Sequence, residues 1–152
     1  MVLTIDIGNT TIGIGGFQGN KLLFIEKISS RRPLSDAGYR KKLNMILDKH
    51  GLSAEAFEGS VISSVVPSVT AVFSSALETF LGRKPLILSH KLDLGYEICT
   101  EFPEKVGCDR LADIAGAISR YSLPFVTIDL GTATTFNVLD LSLIHISEPT
   151  RP

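Results

Sequence analysis

The chain has 152 residues, 44% hydrophobic and 20% charged, and a formal net charge of −1. That is enough apolar material for a packed core, and it excludes a disordered or low-complexity chain. Near-neutral charge, with no basic run longer than Arg31-Arg32 or Lys41-Lys42, excludes the electrostatic footprint of a nucleic-acid or acidic-membrane binder. No apolar run is long enough to span a bilayer, and Met1 leads into a strand-like run with no basic, apolar leader. Cys99 and Cys108 form no CxxC pair and have no His cluster beside them, so a zinc site is excluded. A soluble protein of a reducing, cytoplasmic compartment is expected, with no nucleic-acid or membrane partner.

Val2 to Ile7 reads as a buried strand carrying a carboxylate, Asp6, near its end. Gly8-Asn9-Thr10 is turn chemistry, and Thr11 to Phe17 a second strand thinned by glycines. Gln18-Gly19-Asn20 turns the chain into a third strand, Lys21 to Ile28, completing a β-meander. Tyr39, Leu43, Ile46 and Leu47 fall at helical spacing, and His50-Gly51 supplies a C-cap. Ser60 to Val66 is a strand stopped by Pro67. A second helix follows through Val72, Phe73, Leu77 and Phe80 to Gly82. Pro85 to Leu88 reads as a short strand, 89–106 as irregular, and Arg110 to Tyr121 as a helix rich in small residues. Phe125 to Asp129 is another buried strand, and Phe136 to Leu139 a strand after the turn at Gly131.

Ile5-Asp6-Ile7-Gly8-Asn9-Thr10 returns as Ile128-Asp129-Leu130-Gly131-Thr132-Ala133, each copy between apolar strands. A repeated strand–Asp–x–Gly–x–strand unit indicates two related domains facing one cleft, able to grip a polyphosphate from both sides. The second copy begins near residue 119. The tail Leu141 to Pro152 reads either as an ordinary strand over Leu143 to Ile146 or as a non-native extension. Its string LSLIHISEPTRP resembles the in-frame translation of a sequencing-library adapter, so native sequence is expected to end near Asp140.

Three places carry chemistry. The Asp6 corner offers backbone amides and small hydroxyls to phosphate oxygens, and a carboxylate to a metal ion through water; a hairpin with a capping Asp is the plain alternative. The corner from Asp129 to Thr135 sets a run of polar and glycine positions after an apolar strand; its alternative is a Thr-rich turn. In Gly107-Cys108-Asp109-Arg110, at the start of a helix, Asp109 is either an N-terminal cap or a base beside a guanidinium.

Asp6-Ile7-Gly8-Asn9-Thr10 with Gly16-Phe17, Ser63-Ser64-Val65-Val66-Pro67, Gly107-Cys108-Asp109-Arg110 and Asp129 to Thr135 stand in the order and spacing of one family. Over residues 1–140 the chain resembles type III pantothenate kinases. The resemblance implies the actin-like, sugar-kinase and Hsp70 ATPase (ribonuclease H-like) α/β fold. Its first domain would span 1–118 and the start of a second 119–140, with 141–152 as the non-native tail. It implies phosphorylation of pantothenate by ATP with Mg2+ and a monovalent cation, K+ or NH4+, in a homodimer.

By the same resemblance Asp6, Ile7, Gly8, Asn9, Thr10, Thr11, Ile12 and Gly13 form the ATP phosphate loop, with Asp6 near magnesium. Thr132 is a second ATP contact, and Asp129 binds the monovalent cation. Thr100, Gly107, Cys108, Asp109 and Arg110 line the pantothenate site; Asp109 takes the hydroxyl proton and Arg110 anchors the carboxylate. Three positions depart from the family pattern. Thr100 stands where a Tyr is usual, Phe102 where an Asn is usual, and Cys108 where an Ala is usual; Tyr96 is a candidate for the displaced Tyr. The alternatives are another kinase of the superfamily or a non-catalytic relative. Residues 1–140 alone are expected to be poorly soluble and inactive, lacking most of the second domain.

Overall fold

The computed structural model describes residues 1–130, 134–142 and, as backbone, 144–148. They form two compact units, Met1–Ile87 and Leu88–Pro152. The described elements are mixed α/β, with parallel and antiparallel strand pairs in both units.

In the first unit, β1 (Val2–Ile7), β2 (Thr11–Gln18) and β3 (Lys21–Ser29) form the expected meander. α1 (Asp36–Lys49), β4 (Gly59–Ser64), α2 (Pro67–Leu81) and β5 (Leu86–Ile87) follow. The sheet order is β3-β2-β1-β4-β5, with β1 antiparallel to β2 and parallel to β4. Period-two alternation puts Leu3, Ile5 and Ile7 of β1 on one face, where they are buried with Ile12, Ile14 and Ile62. The two helices close that face with Tyr39, Leu43 and Leu47 from α1 and Val69, Phe73 and Leu77 from α2. Tyr39 and Phe73 meet with ring centroids 4.5 Å apart, tilted by 47°.

Two first-unit expectations change. The strand expected over 60–66 ends at Ser64, because Ser64 Oγ accepts from Val66 N (3.1 Å) and bends the chain before Pro67, the first residue of α2. Val72 is 37% exposed, since the buried stripe of α2 runs through Val69, Phe73, Ala76 and Leu77 and leaves it at the margin.

The second unit contains β6 (Glu97–Ile98), α3 (Cys108–Ile118), β7 (Phe125–Leu130), β8 (Thr134–Leu139) and β9 (Ile144–Glu148). Its sheet order is β6-β9-β8-β7. The helix begins two residues before the expected Arg110, since Gly107 takes the N-cap position, and ends at Ile118 rather than Tyr121. A two-residue strand and a short 3-10 turn, Pro103–Lys105, lie in the stretch read as irregular. β7 is not the buried strand its sequence suggests. Val126, Ile128 and Leu130 are 56%, 57% and 80% exposed, because α3 covers only the other face of the β7–β8 pair.

Candidate active site

Asp6 sits one residue from the end of β1 on the sheet face opposite the core, and it is exposed. Its antiparallel neighbour on β2 is Gly13 and its parallel neighbour on β4 is Ser63. A Cβ on Gly13 would stand 3.8 Å from Asp6 Cβ, so any longer side chain would fill the space beside the carboxylate. The corner is held by Gly8 N donating to Thr11 O (2.9 Å) and Ser30 N donating to Thr10 O (3.0 Å). The Gly8 amide is thus committed within the turn. Asn9, Thr10 and Thr11 are exposed, while Ile7 and Ile12 are fully buried and offer a ligand only their main chain.

In the second unit, Gly107 is the N-cap of α3, Cys108 the first helical residue and Asp109 the second. The half-buried Asp109 accepts from Arg110 N through Oδ1 (2.8 Å). A Cβ at position 107 would meet Asp109 Oδ1 and push that side chain out of its fold-back. A carboxylate in the first turn also sits at the positive end of the helix dipole. Cys108 Sγ donates to Leu88 O (3.1 Å), an attachment an alanine at that position could not make.

Arg110 is only 9% exposed. Its Nε donates to Asn137 Oδ1 (3.0 Å), one terminal nitrogen donates to Phe136 O (2.9 Å), and Asn137 Nδ2 donates to Thr127 Oγ1 (3.0 Å). Burial lowers the guanidinium's pKa, and the charges of Asp109 and Asp113 oppose that shift. The group stays charged at neutral pH, and fixed acceptors hold it from behind. Asn137 and Thr127 were not singled out from sequence. The available signal was an amide in the otherwise apolar run Phe136 to Leu139, at a position that alternation turns toward α3.

The remaining expected residues are placed less uniformly. Thr100 Oγ1 is buried without a hydrogen-bond partner among the described residues. Tyr96 is half-buried, donates its hydroxyl to Leu111 O (2.9 Å), and has its pKa pushed up to about 12 by burial. Phe102 lies under Lys105, with Nζ 3.8 Å from the ring centroid. Asp129 is exposed at the edge of an open groove of about 440 Å³ between α3 and β7, which Asp113, Gly116, Arg120 and Tyr121 also line. Thr132 lies outside the described residues. Among the described residues no three His, Cys, Asp or Glu side chains cluster for direct metal ligation. A divalent ion at Asp6 therefore fits only as one held partly by water and phosphate. Gly13, opposite Asp6 on β2, contributes no side chain there.

A sequence model described as type III pantothenate kinase matches residues 2–146. The chain belongs to the type III pantothenate kinase family. A type III pantothenate kinase of Thermomicrobium roseum is 35% identical over 152 residues, which is 100% of this chain and 59% of the relative. One from Bifidobacterium animalis subsp. lactis is 37% identical over 140 residues, 92% of this chain and 56% of the relative. One from Brevibacillus brevis is 34% identical over 140 residues, 92% of this chain and 55% of the relative. The chain thus spans a little over half the length of these family members. The Asp6 corner, the Gly107–Arg110 segment and Asp129 all fall within the matched residues. No helix among the described residues is long and apolar enough to cross a membrane.

Proposed function

We propose that the whole protein transfers the γ-phosphoryl group of ATP to the primary hydroxyl of pantothenate, giving 4′-phosphopantothenate, the first step towards coenzyme A. The observation that carries this reading is the start of α3, where a half-buried carboxylate stands beside a guanidinium anchored from behind. Asp109 accepts the hydroxyl proton as the substrate oxygen bonds to phosphorus and the bond to the β-phosphate oxygen breaks. Arg110, fixed by Asn137 and the Phe136 carbonyl, is the cation that anchors the pantothenate carboxylate. The transfer has a loose transition state, so alignment matters more than proton removal.

At the Asp6 corner the exposed Asn9, Thr10 and Thr11 and the bare Gly13 receive the triphosphate, and Thr132 is a second contact. Asp6 is the residue that would hold Mg2+ there, and the ion would supply charge neutralisation to the phosphates. Asp129, exposed on its groove, fits a weakly held K+ or NH4+. The same reading carries the actin-like two-domain fold with its second domain from residue 119, a homodimer and a cytoplasmic location. It is supported by the family match and by the Asp-x-Gly corner recurring at Asp129.

The direct test is an ATP-consumption assay on the protein expressed from the full reading frame, with and without pantothenate and K+. Consumption that requires pantothenate is the expected result. Consumption indifferent to pantothenate, or supported equally by sugars, points to another kinase and removes the proposal.

A further inference from the structure

The family's Ser-Ser-Val-Val-Pro segment is explained only in part by the fold. Its two serines are used differently. Ser64 Oγ accepts from Val66 N (3.1 Å) and from Thr70 Oγ1 (2.6 Å), so it shapes the start of α2. Ser63 is 7% exposed, and its Oγ has no hydrogen-bond partner among the described residues. A buried hydroxyl without a partner is costly, which calls for a compensating role.

The sheet register supplies that role. β1 and β4 run parallel with Asp6 opposite Ser63, and laterally paired residues of neighbouring strands project to the same face. On this face Gly13, Asp6 and Ser63 form one row across β2, β1 and β4: bare backbone, carboxylate, unpartnered hydroxyl. The next row back is satisfied internally, since Thr4 Oγ1 donates to Gly15 O (3.2 Å). Ser60 also has an unpartnered hydroxyl, but it pairs with Leu3 on the opposite, core-facing side and cannot reach Asp6.

We infer that Ser63 is a further member of the nucleotide site, its hydroxyl hydrogen-bonding an oxygen of the magnesium–triphosphate group beside Asp6. The inference rests on the proposed reading of the Asp6 corner. A serine suits the position because its hydroxyl both donates and accepts, and so serves a phosphate oxygen or a metal-bound water.

The test uses the protein expressed from the full reading frame and compares wild type, Ser63→Ala and Asp6→Asn by thermal melting and by titration with ATP and Mg2+. Ser63→Ala removes only an unpartnered hydroxyl, so without ligand it should melt at or above the wild-type temperature. Its affinity for Mg2+-ATP should fall on the order of 5- to 10-fold, the loss of one hydrogen bond. A lower melting temperature without ligand shows that the hydroxyl is structural and overturns the inference. So does unchanged Mg2+-ATP affinity in Ser63→Ala while Asp6→Asn loses it. If wild type does not bind, or Asp6→Asn binds as wild type does, the reading of the corner fails and the inference fails with it.

Discussion

Asp109 and Arg110 are neighbours in sequence but face different tasks, and their surroundings separate the two. Asp109 folds back over Gly107 at the start of α3, whereas Arg110 is buried against β8. In the full-length protein, Asp109→Asn should lower kcat by at least about 100-fold while ATP binding persists, as expected on losing a general base. Turnover near wild type would remove Asp109 from that role. Asn137→Ala leaves the buried guanidinium one acceptor short and should cost about 1–3 kcal/mol by urea denaturation. Asn137→Asp, which keeps an acceptor, should recover most of that loss; equal destabilisation by both variants would place the cost elsewhere. Tyr96 gives a pH signature. Its folded pKa, about 12, lies above the ordinary phenol value of 10, so its contribution to stability is complete below pH 10. That contribution declines as pH rises from 10 through 12, and Tyr96→Phe should remove this part of the alkaline destabilisation.

At the scale of elements, local chemistry had already drawn most boundaries. Ser35 caps α1, accepting from Gly38 N (3.2 Å), and Gly82 ends α2 in the left-handed conformation at φ 65°. Ser35→Ala should destabilise the first unit by about 1 kcal/mol, read from its thermal transition. No measurable change would mean that water replaces the cap. The meander, the two first-unit helices and the strand from Phe125 were legible because apolar period and turn residues agreed. The end of β4 was not, because Val65 and Val66 favour a strand by composition. What ends it is a side-chain bond from Ser64 to the backbone two residues on.

For the whole molecule, the two units differ in how they bury their sheets. The first encloses one sheet face under α1 and α2. The second leaves Val126, Ile128, Leu130, Phe136 and Val138 exposed on one side of β7 and β8. An apolar sheet face of this kind promotes association. The 152-residue chain should therefore bind a hydrophobic dye such as ANS and self-associate on a sizing column. Ile128→Thr with Val138→Thr should reduce both signals, and a monomeric, dye-silent wild type would contradict the expectation.

The sequence by itself determined the order of the longer elements, the two Asp-x-Gly corners and the family, because turn chemistry, apolar period and motif spacing are written in consecutive residues. It could not rank the hydroxyls and amides within those motifs. Tertiary structure decided that Ser64 serves the backbone while Ser63 stands unpartnered beside Asp6, and that Asn137 holds Arg110. Those distinctions depend on strand register and helix-to-sheet packing between residues 27 to 57 positions apart. Only the folded chain brings such pairs side by side.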